Sequence, residues 1–288
     1  MKSFADLEVD QPLSAGLYIV ATPIGNLQDI TLRALNVLRR ADLVACEDTR
    51  VTAKLLAHYD IRASTTPYHD ANAEHARPHL LARLREGAKV ALVSDAGTPL
   101  ISDPGFKLVR EATAAGIRVI PIPGASSVLA ALSVAGLPTD KFLFVGFLPV
   151  RSGQRRTAID AVRAVAASLV VLEAPQRLGD CLADLAAVLG TRPAVIAREL
   201  TKHFEETVHG DLGELAARYA AAPPKGEVVI VIGPPGEDDL VADDDATDAL
   251  LRDALTTLRP ADAAAVVAQR TGRTRREVYA RALALRKP

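Results

Sequence analysis

Apolar residues along this chain fall into two alternating kinds of run. Short continuous runs rich in β-branched residues, LYIVAT (17–22), LVAC (43–46), VALVS (90–94) and IRVIPI (117–122), are one kind. Between them apolar positions recur about every 3.6 residues, as in Ile30, Leu32, Leu35, Val37 and Leu38. The first kind predicts strands covered on both faces and the second predicts amphipathic helices. Further helices are expected over VTAKLLAHY, 72–86, 104–115 with Gly116 as a stop signal, and 126–135. The stretch leading to Tyr68-His69-Asp70 is polar and predicts no element. This β-α-β-α rhythm implies a parallel sheet.

A second unit starts near Phe142. KFLFVGFL, SLVVLEA (168–174), AVIAREL (194–200) and EVVIVIG (227–233) read as strands, with Lys202–His209 extended or strand-like. Helices are expected over 157–167, 176–189 and 211–221, and Arg151–Arg156 reads as a basic loop. Pro234-Pro235-Gly236 and an acidic run make a linker. The last segment, helical on either side of Thr271-Gly272, has a helix-turn-helix pattern. The expected architecture is therefore α/β: an N-terminal α/β domain over 14–138, a second over 139–235, and an acidic linker with a basic helical segment over 236–288.

Composition sharpens this picture in three places. Trp is absent and aromatics make up 4%, so aliphatic residues must build the cores. No apolar run is long enough for a membrane helix, and the N-terminal stretch has three acids and no apolar segment, which points to a cytoplasmic protein. Cys46 and Cys181 are far apart and read as buried thiols of a reducing compartment. Net charge is −1, but its distribution is uneven. Residues 237–253 carry eight acids and one Arg, whereas 259–288 carry seven Arg and one Lys against two acids. An acidic linker before a basic tail points to a nucleic-acid contact, or else to a solvated helical tail.

Ligands of parallel sheets bind outside the carboxyl ends of the strands, and four loops there carry chemistry. TPIGN is a tight turn that lets backbone approach a ligand, yet it lacks the G-x-G-x-x-G of dinucleotide sites. EDTR places two carboxylates and a guanidinium together, as a substrate-facing cluster or a helix-capping pair. SDAGTPLISDPG (94–105) is the most specific: capping explains Asp103-Pro104, but apolar Pro99-Leu100-Ile101 fits a pocket wall better than a solvated turn. PGASS offers hydroxyls at a helix N-terminus, as an N-cap or as ligand contacts. In the second unit Glu173, Glu199 and Lys202 follow strands and could form structural ion pairs. The six His have no metal spacing, so no metal is expected, and no G-x-S-x-G nucleophile signature occurs.

LYIVATPIGNLQDIT, ACEDTR, LVSDAGTPLISDPGFKLV, PGASSVLAALSVAGLP, GFLP, ARELTK and KGEVVIVIG, in this order, resemble the ribosomal RNA small subunit methyltransferase I family of the tetrapyrrole-methylase superfamily. The resemblance runs from about residue 15 to 235, with a counterpart for the helical tail. It implies two α/β domains with S-adenosylmethionine in the cleft between them, a homodimer, and 2′-O-methylation of cytidine 1402 in the decoding region of 16S ribosomal RNA. By matched motif it implies a cofactor pocket of Pro23, Ile24, Asp95, Ala96, Gly97, Thr98, Ile101, Ser102, Ser126, Ser127, Glu173, Gly226 and Glu227. Gly124-Ala125-Ser126 stands where many members have Gly-Pro and then a small residue, which bears on which Ser touches the ligand.

On that resemblance, Asp48, Glu173 and Glu199 are candidates for a general base or orienting group at a ribose hydroxyl. Arg50, Arg177 and Lys202 are candidates for stabilising the oxyanion or holding phosphate. Arg151, Arg155, Arg156, Arg270, Arg273, Arg275 and Arg276 are the expected phosphate contacts, and these predict salt-sensitive RNA binding. Rival readings are a small-molecule methylase on the same fold, a non-catalytic RNA-binding assembly protein, and a nucleotide-dependent oxidoreductase.

Overall fold

The computed structural model describes residues 12–221, 224–236, 244–271 and 273–285, with the side chains of 244–246 and 269–270 excepted. Its first sheet is built from β1 (Gly16–Val20), β2 (Leu43–Cys46), β3 (Thr65–Pro67), β4 (Lys89–Val93) and β5 (Val119–Ile122). All pairings are parallel and the order is β3-β2-β4-β1-β5. Helices α1 (Leu32–Arg40), α2 (Thr49–His58), α3 (Ala73–Arg85) and α4 (Phe106–Ala114) connect the strands. Two clusters cover the two faces: Val20, Leu38, Val44 and Val93 on one, Leu17, Leu81, Leu92 and Leu108 on the other. Strands buried on both faces explain why they read as continuous apolar runs. The edge strand β3 is the exception. Its three residues TTP are polar or exposed, and periodicity gives it no signal.

The second sheet has the order β6-β7-β10-β8-β9. Its strands are β6 (Phe142–Phe147), β7 (Ser168–Glu173), β8 (Pro193–Arg198), β9 (Glu206–Asp211) and β10 (Val228–Ile232). Only the β6–β7 pair is parallel. Three helices accompany it: α6 (Ser152–Asp160), α7 (Leu178–Leu189) and α8 (Leu212–Tyr219). Together with one sheet face they enclose Leu169, Val171, Leu182, Ile196, Leu212 and Ile230. The opposite face, Val170, Val195, Ala197, Val229 and Val231, packs against Val128, Ala131, Leu132 and Ala135 of α5 (Ser127–Ala135). That helix follows β5 of the first sheet, so one element ties the two sheets together.

One expectation is corrected here. The loop expected at Arg151–Arg156 is the N-terminal half of α6, and the helix ends at Asp160 rather than continuing to 167. The C-terminal segment is three helices, α9 (Asp244–Leu255), α10 (Pro260–Thr271) and α11 (Arg275–Ala284), around Leu251, Ala264, Val267 and Val278. Among the described residues no helix is long and apolar enough to cross a membrane.

Candidate functional site

Three loops at the carboxyl edge of the first sheet meet. Thr22 and Gly97 form an antiparallel bridge, with Thr22 N donating to Gly97 O at 2.9 Å and Gly97 N to Thr22 O at 3.0 Å. Thr22 Oγ1 donates to Ser94 O at 3.1 Å. Thr98 Oγ1 donates to Ala125 O at 3.1 Å, which joins the second loop to the third. Glycine is required at the crossing. Gly97 has φ +81°, and a Cβ there would stand 3.2 Å from Ile24 Cγ2. Leu100 (φ +73°) and Ser102 (φ +63°) adopt the left-handed conformation without being glycine. Such backbone costs of order 1–3 kcal/mol per residue and persists where the surroundings over-determine it. Ser102 is held beside β6, where Gly146 fits against its Oγ.

The 94–102 loop divides two cavities. On one side Thr22, Pro23, Ile24, Gly25, Thr52, Ser94, Asp95, Ala96, Lys202 and Glu227 line a volume of about 330 Å³. On the other, Thr98, Ile101, Pro123, Gly124, Ser126, Phe142 and Phe144 line one of about 450 Å³. The first carries charged and hydroxyl groups among apolar Leu27, Val51 and Leu55; the second is mostly apolar with two hydroxyls at its wall. Ser126 also N-caps α5, its Oγ accepting from Leu129 N at 3.4 Å, and Ser127 is the first helical residue. Thr22, Phe142 and Phe144 were not singled out from sequence. Thr22 sits inside the TPIGN turn, and the two Phe alternate along β6.

The second unit reaches the first cavity through the ARELTK turn. Lys202 Nζ lies 2.9 Å from Glu199 Oε1 and 3.3 Å from Glu227 Oε2. Burial pulls the Lys202 ammonium down, but the Glu199 hydrogen bond and the Glu227 charge outweigh it, so its pKa stays above the ordinary value. Gly226 (φ +86°) leaves room for the Glu199 side chain, which a Cβ at that position would overlap. Across the seam, Asn26 N donates to Thr201 Oγ1 at 3.0 Å. Gly25 lies so close to Lys202 that a Cβ would collide with its stem.

EDTR behaves mainly as a cap. Asp48 accepts from Arg50 N at 2.8 Å and from the guanidinium of Arg50, which is 86% exposed. These bonds hold the Asp48 carboxyl at about 2. Asp95 accepts from Asp48 N at 3.0 Å, linking this loop to the central one. Behind it, burial and the charges of Asp103, Asp95 and Asp70 push the Glu47 carboxyl up. Burial likewise raises Asp103, against a hydrogen bond from Ser94. Glu47 entered the sequence reading only as one of the two EDTR carboxylates and Asp103 only as a helix-capping residue.

Other expected site residues lie elsewhere. Glu173 continues the alternation of Leu169 and Val171, so it faces α7 rather than α5. Its Oε1 accepts from Ala174 N at 2.7 Å and Arg177 Nε at 2.6 Å, and its side chain is fully buried. Burial first, and this carboxylate second, push the Cys181 thiol far up. The Glu173 side chain is therefore turned away from both cavities, and Arg177 is engaged with it and with Leu148 O. Arg155 is also a scaffold group. It is buried, with Nε donating to Asp184 Oδ2 at 2.8 Å and Nη1 to Val150 O at 3.0 Å. Arg151 and Arg156 are on the surface. In the tail Arg275 and Arg276 are exposed and Arg273 is half-buried, while the Arg270 side chain lies outside the described residues. Among the described residues no group of His, Cys, Asp and Glu is placed to hold a metal ion.

Residues 16–216 match the family profile of Tetrapyrrole (Corrin/Porphyrin) Methylases, and 241–286 match the RsmI C-terminal HTH domain. The chain is 53% identical over 279 residues to ribosomal RNA small subunit methyltransferase I of Mesorhizobium japonicum, covering 96% of this chain and 94% of that protein. It is 49% identical over 273 residues to the protein of the same name from Escherichia coli, covering 93% and 94%. Uroporphyrin-III C-methyltransferase from Thermus thermophilus, solved with S-adenosylhomocysteine, superposes with a TM-score of 0.52 at 24% identity, covering 76% of this chain and 97% of that one. That likeness speaks to the fold.

Proposed function

The chain belongs to the tetrapyrrole methylase family and, within it, to the ribosomal RNA small subunit methyltransferase I family, and from that premise we propose that it methylates the 2′-hydroxyl of cytidine 1402 in 16S ribosomal RNA. It is an S-adenosylmethionine-dependent ribosomal RNA methyltransferase. The observation that carries the finer reading is the pair of cavities on either side of the 94–102 loop. The apolar one fits an adenosyl group: Phe142, Phe144 and Ile101 offer surface for a base, and Thr98 and Ser126 offer hydroxyls. Gly124 packs against Ala21 and Gly97 against Ile24, which fixes the loop backbone beside the cavity. The polar one fits a nucleoside. When bound, S-adenosylmethionine supplies an electrophilic methyl group.

The protein's share is to hold, orient and deprotonate. Holding two reactants in line can supply a large part of a rate enhancement. Pro23, Ile24 and the Asp95–Gly97 turn fix the partition between the cavities. Lys202, kept protonated by its two carboxylates, donates a hydrogen bond to the ribose oxygen. Glu227, 75% exposed and lining the cavity, takes the hydroxyl proton at a carboxylate oxygen. Asp48 serves poorly in that role, because a carboxyl held at about 2 is a weak proton acceptor. Arg151 and Arg156, with Arg273, Arg275 and Arg276 of the tail, supply phosphate contacts. A homodimer in the cytoplasm completes this reading.

Incubation with labelled cofactor and small-subunit RNA tests it. A 2′-O-methyl group blocks alkaline cleavage, so label is expected in an alkali-resistant dinucleotide. Label released in mononucleotides would mean base methylation and overturn the ribose assignment. Removing residues 241–288 is expected to weaken RNA affinity and leave cofactor affinity unchanged.

A further inference from the structure

The C-terminal helices carry an exposed feature that phosphate binding leaves unexplained. The buried positions of α11 are Val278 and Ala282, which pack on Leu251, Ala264 and Val267. Arg281 Nε donates to Asp248 Oδ1 at 2.8 Å and ties the same side of the helix to α9. A capping box, Thr274 with Glu277, fixes where the helix starts. Rotation and register of α11 are thereby set. What they turn outward is Arg276, Tyr279 and Leu283, spaced three and four apart, hence one stripe. Tyr279 is 40% exposed and Leu283 44%.

A solvated tail gains nothing from an aromatic and an aliphatic side chain in that stripe. Their setting on the described surface is cationic: Arg275 and Arg276 are exposed at the start of α11 and Arg273 is half-buried just before it, against Glu277, while Arg281 is paired with Asp248 of α9. Glu277 is engaged in the cap, where Thr274 N and Oγ1 donate to its Oε2 at 3.1 and 2.9 Å. The complement of such a surface is an anion that also has a flat apolar face, which describes a nucleotide. Side chains cannot read the deep, narrow major groove of duplex RNA, whereas unpaired bases stack on aromatic rings.

We propose that the Arg276-Tyr279-Leu283 stripe of α11 docks an unpaired nucleotide of the ribosomal RNA, with the base stacked on the Tyr279 ring and the phosphate beside Arg276. The proposal rests on the RNA-methyltransferase reading and adds the contact that would bring a single-stranded region of the subunit RNA to the enzyme. It separates the tail's two tasks. The cations give affinity that falls with salt, and the ring gives preference for unpaired over paired RNA.

The full chain contains no Trp, so Tyr279→Trp installs a single indole at the proposed stack. Its emission is to be followed while oligouridylate is added, and again with the same strand annealed to oligoadenylate. Saturable quenching by the single strand and little by the duplex is expected. Tyr279→Phe should bind the single strand as the wild type does, and Tyr279→Ala should bind roughly five- to a hundredfold more weakly. Equal affinity of Tyr279→Ala and wild type, or binding without quenching in Tyr279→Trp, overturns the stack while leaving the methyltransferase reading intact. Emission that changes with protein concentration before any RNA is added assigns the stripe to a second copy of the chain and also overturns it. A wild type that binds no RNA at all removes the reading beneath it.

Discussion

Gly226→Ala is the substitution whose consequence the structure specifies most fully. Gly226 has φ +86°, a conformation that an L side chain rarely adopts, and its Cα faces the Glu199 carboxylate. Adding a Cβ therefore has two costs. Left-handed backbone costs roughly 1–2 kcal/mol for a residue with a Cβ. The overlap with Glu199 has to be relieved by moving that side chain, which breaks its 2.9 Å contact with Lys202. Both partners are partly solvated, at 18% and 30% exposure, so the pair itself is worth about 1 kcal/mol or less. The sum is about 1–3 kcal/mol, and each kcal/mol moves the midpoint of a protein of this size by about 2–4 °C. The assay is a double-mutant cycle by thermal or urea unfolding with Glu199→Ala. Once Glu199 is truncated the alanine methyl has nothing to evict, and only the backbone cost remains. The double variant should be more stable than the sum of the single effects by up to ~1 kcal/mol, the energy of the pair that both single variants break, within the usual range for residues in contact. Strict additivity would refute the claim that Gly226 exists to seat Glu199. Methyl transfer measured alongside is expected to fall in both single variants, since each leaves Lys202 with Glu227 as its remaining carboxylate.

Arg155→Ala should cost about 3 kcal/mol or more, because it strips a partner from a carboxylate that is 5% exposed. Arg156→Ala, whose side chain is 55% exposed, should cost less than about 1 kcal/mol in the same urea unfolding experiment and weaken RNA binding at low salt; equal destabilisation would contradict the scaffold role of Arg155. Glu47 and Asp103 have carboxyls raised by burial, so between the unfolded and folded values the native state binds more protons, and stability falls as pH rises through that window. Glu47→Gln and Asp103→Asn are therefore expected to raise the unfolding temperature at pH 7 and to lose that advantage near pH 4; a variant no more stable than the wild type at pH 7 counts against burial as the cause. Gly97→Ala places a Cβ at φ +81°, 3.2 Å from Ile24 Cγ2, and calorimetry should show cofactor affinity reduced about tenfold or more with RNA affinity retained.

The parallel sheet was legible because burial on both faces leaves an unmistakable apolar run, and the loops were legible because Gly, Pro and acids cluster where such strands end. β3 was not, since a three-residue edge strand of Thr, Thr and Pro needs no apolar face. The start of α6 was misread for a chemical reason. Arg155 occupies one of its inward positions, and periodicity counts a buried, ion-paired Arg as polar. Glu173 shows a different limit. It does stand at a strand end among candidate loops, but a strand offers its side chains to alternate faces, and the face is fixed by which layer each neighbour packs into. Leu169 and Val171 pack with α7, so Glu173 follows them away from the cavities. Glu47 was passed over because the more conspicuous Asp48-Arg50 pair stood beside it, and Asp103 because helix capping accounts for Asp103-Pro104. That pair is satisfied locally, whereas the raised acids owe their shift first to burial and then to the charges of Asp95 and Asp70, which only the fold brings to them.

The position of α5 explains why the loops can hold strained backbone at all. The helix leaves the first sheet through Pro123-Gly124-Ala125-Ser126 and buries Val128, Ala131, Leu132 and Ala135 on the second. Val128 and Leu132 each stabilise by about 1.5–3 kcal/mol when taken from water and the two alanines by less, so α5 cannot lift off without a loss of several kcal/mol. Ile24 belongs to the same cluster, which anchors the TPIGN loop as well. Thr98 then hangs from Ala125 O and Gly97 from Thr22, so the central loop is clamped between two segments that a shared core immobilises. Left-handed Leu100 and Ser102 persist within that clamp. A boundary drawn at residue 138 by sequence would assign α5 to the first sheet alone. In the fold it packs on β8, β9 and β10 of the second sheet while following directly from β5 of the first, and rigidity at the junction between the two cavities follows from that tether.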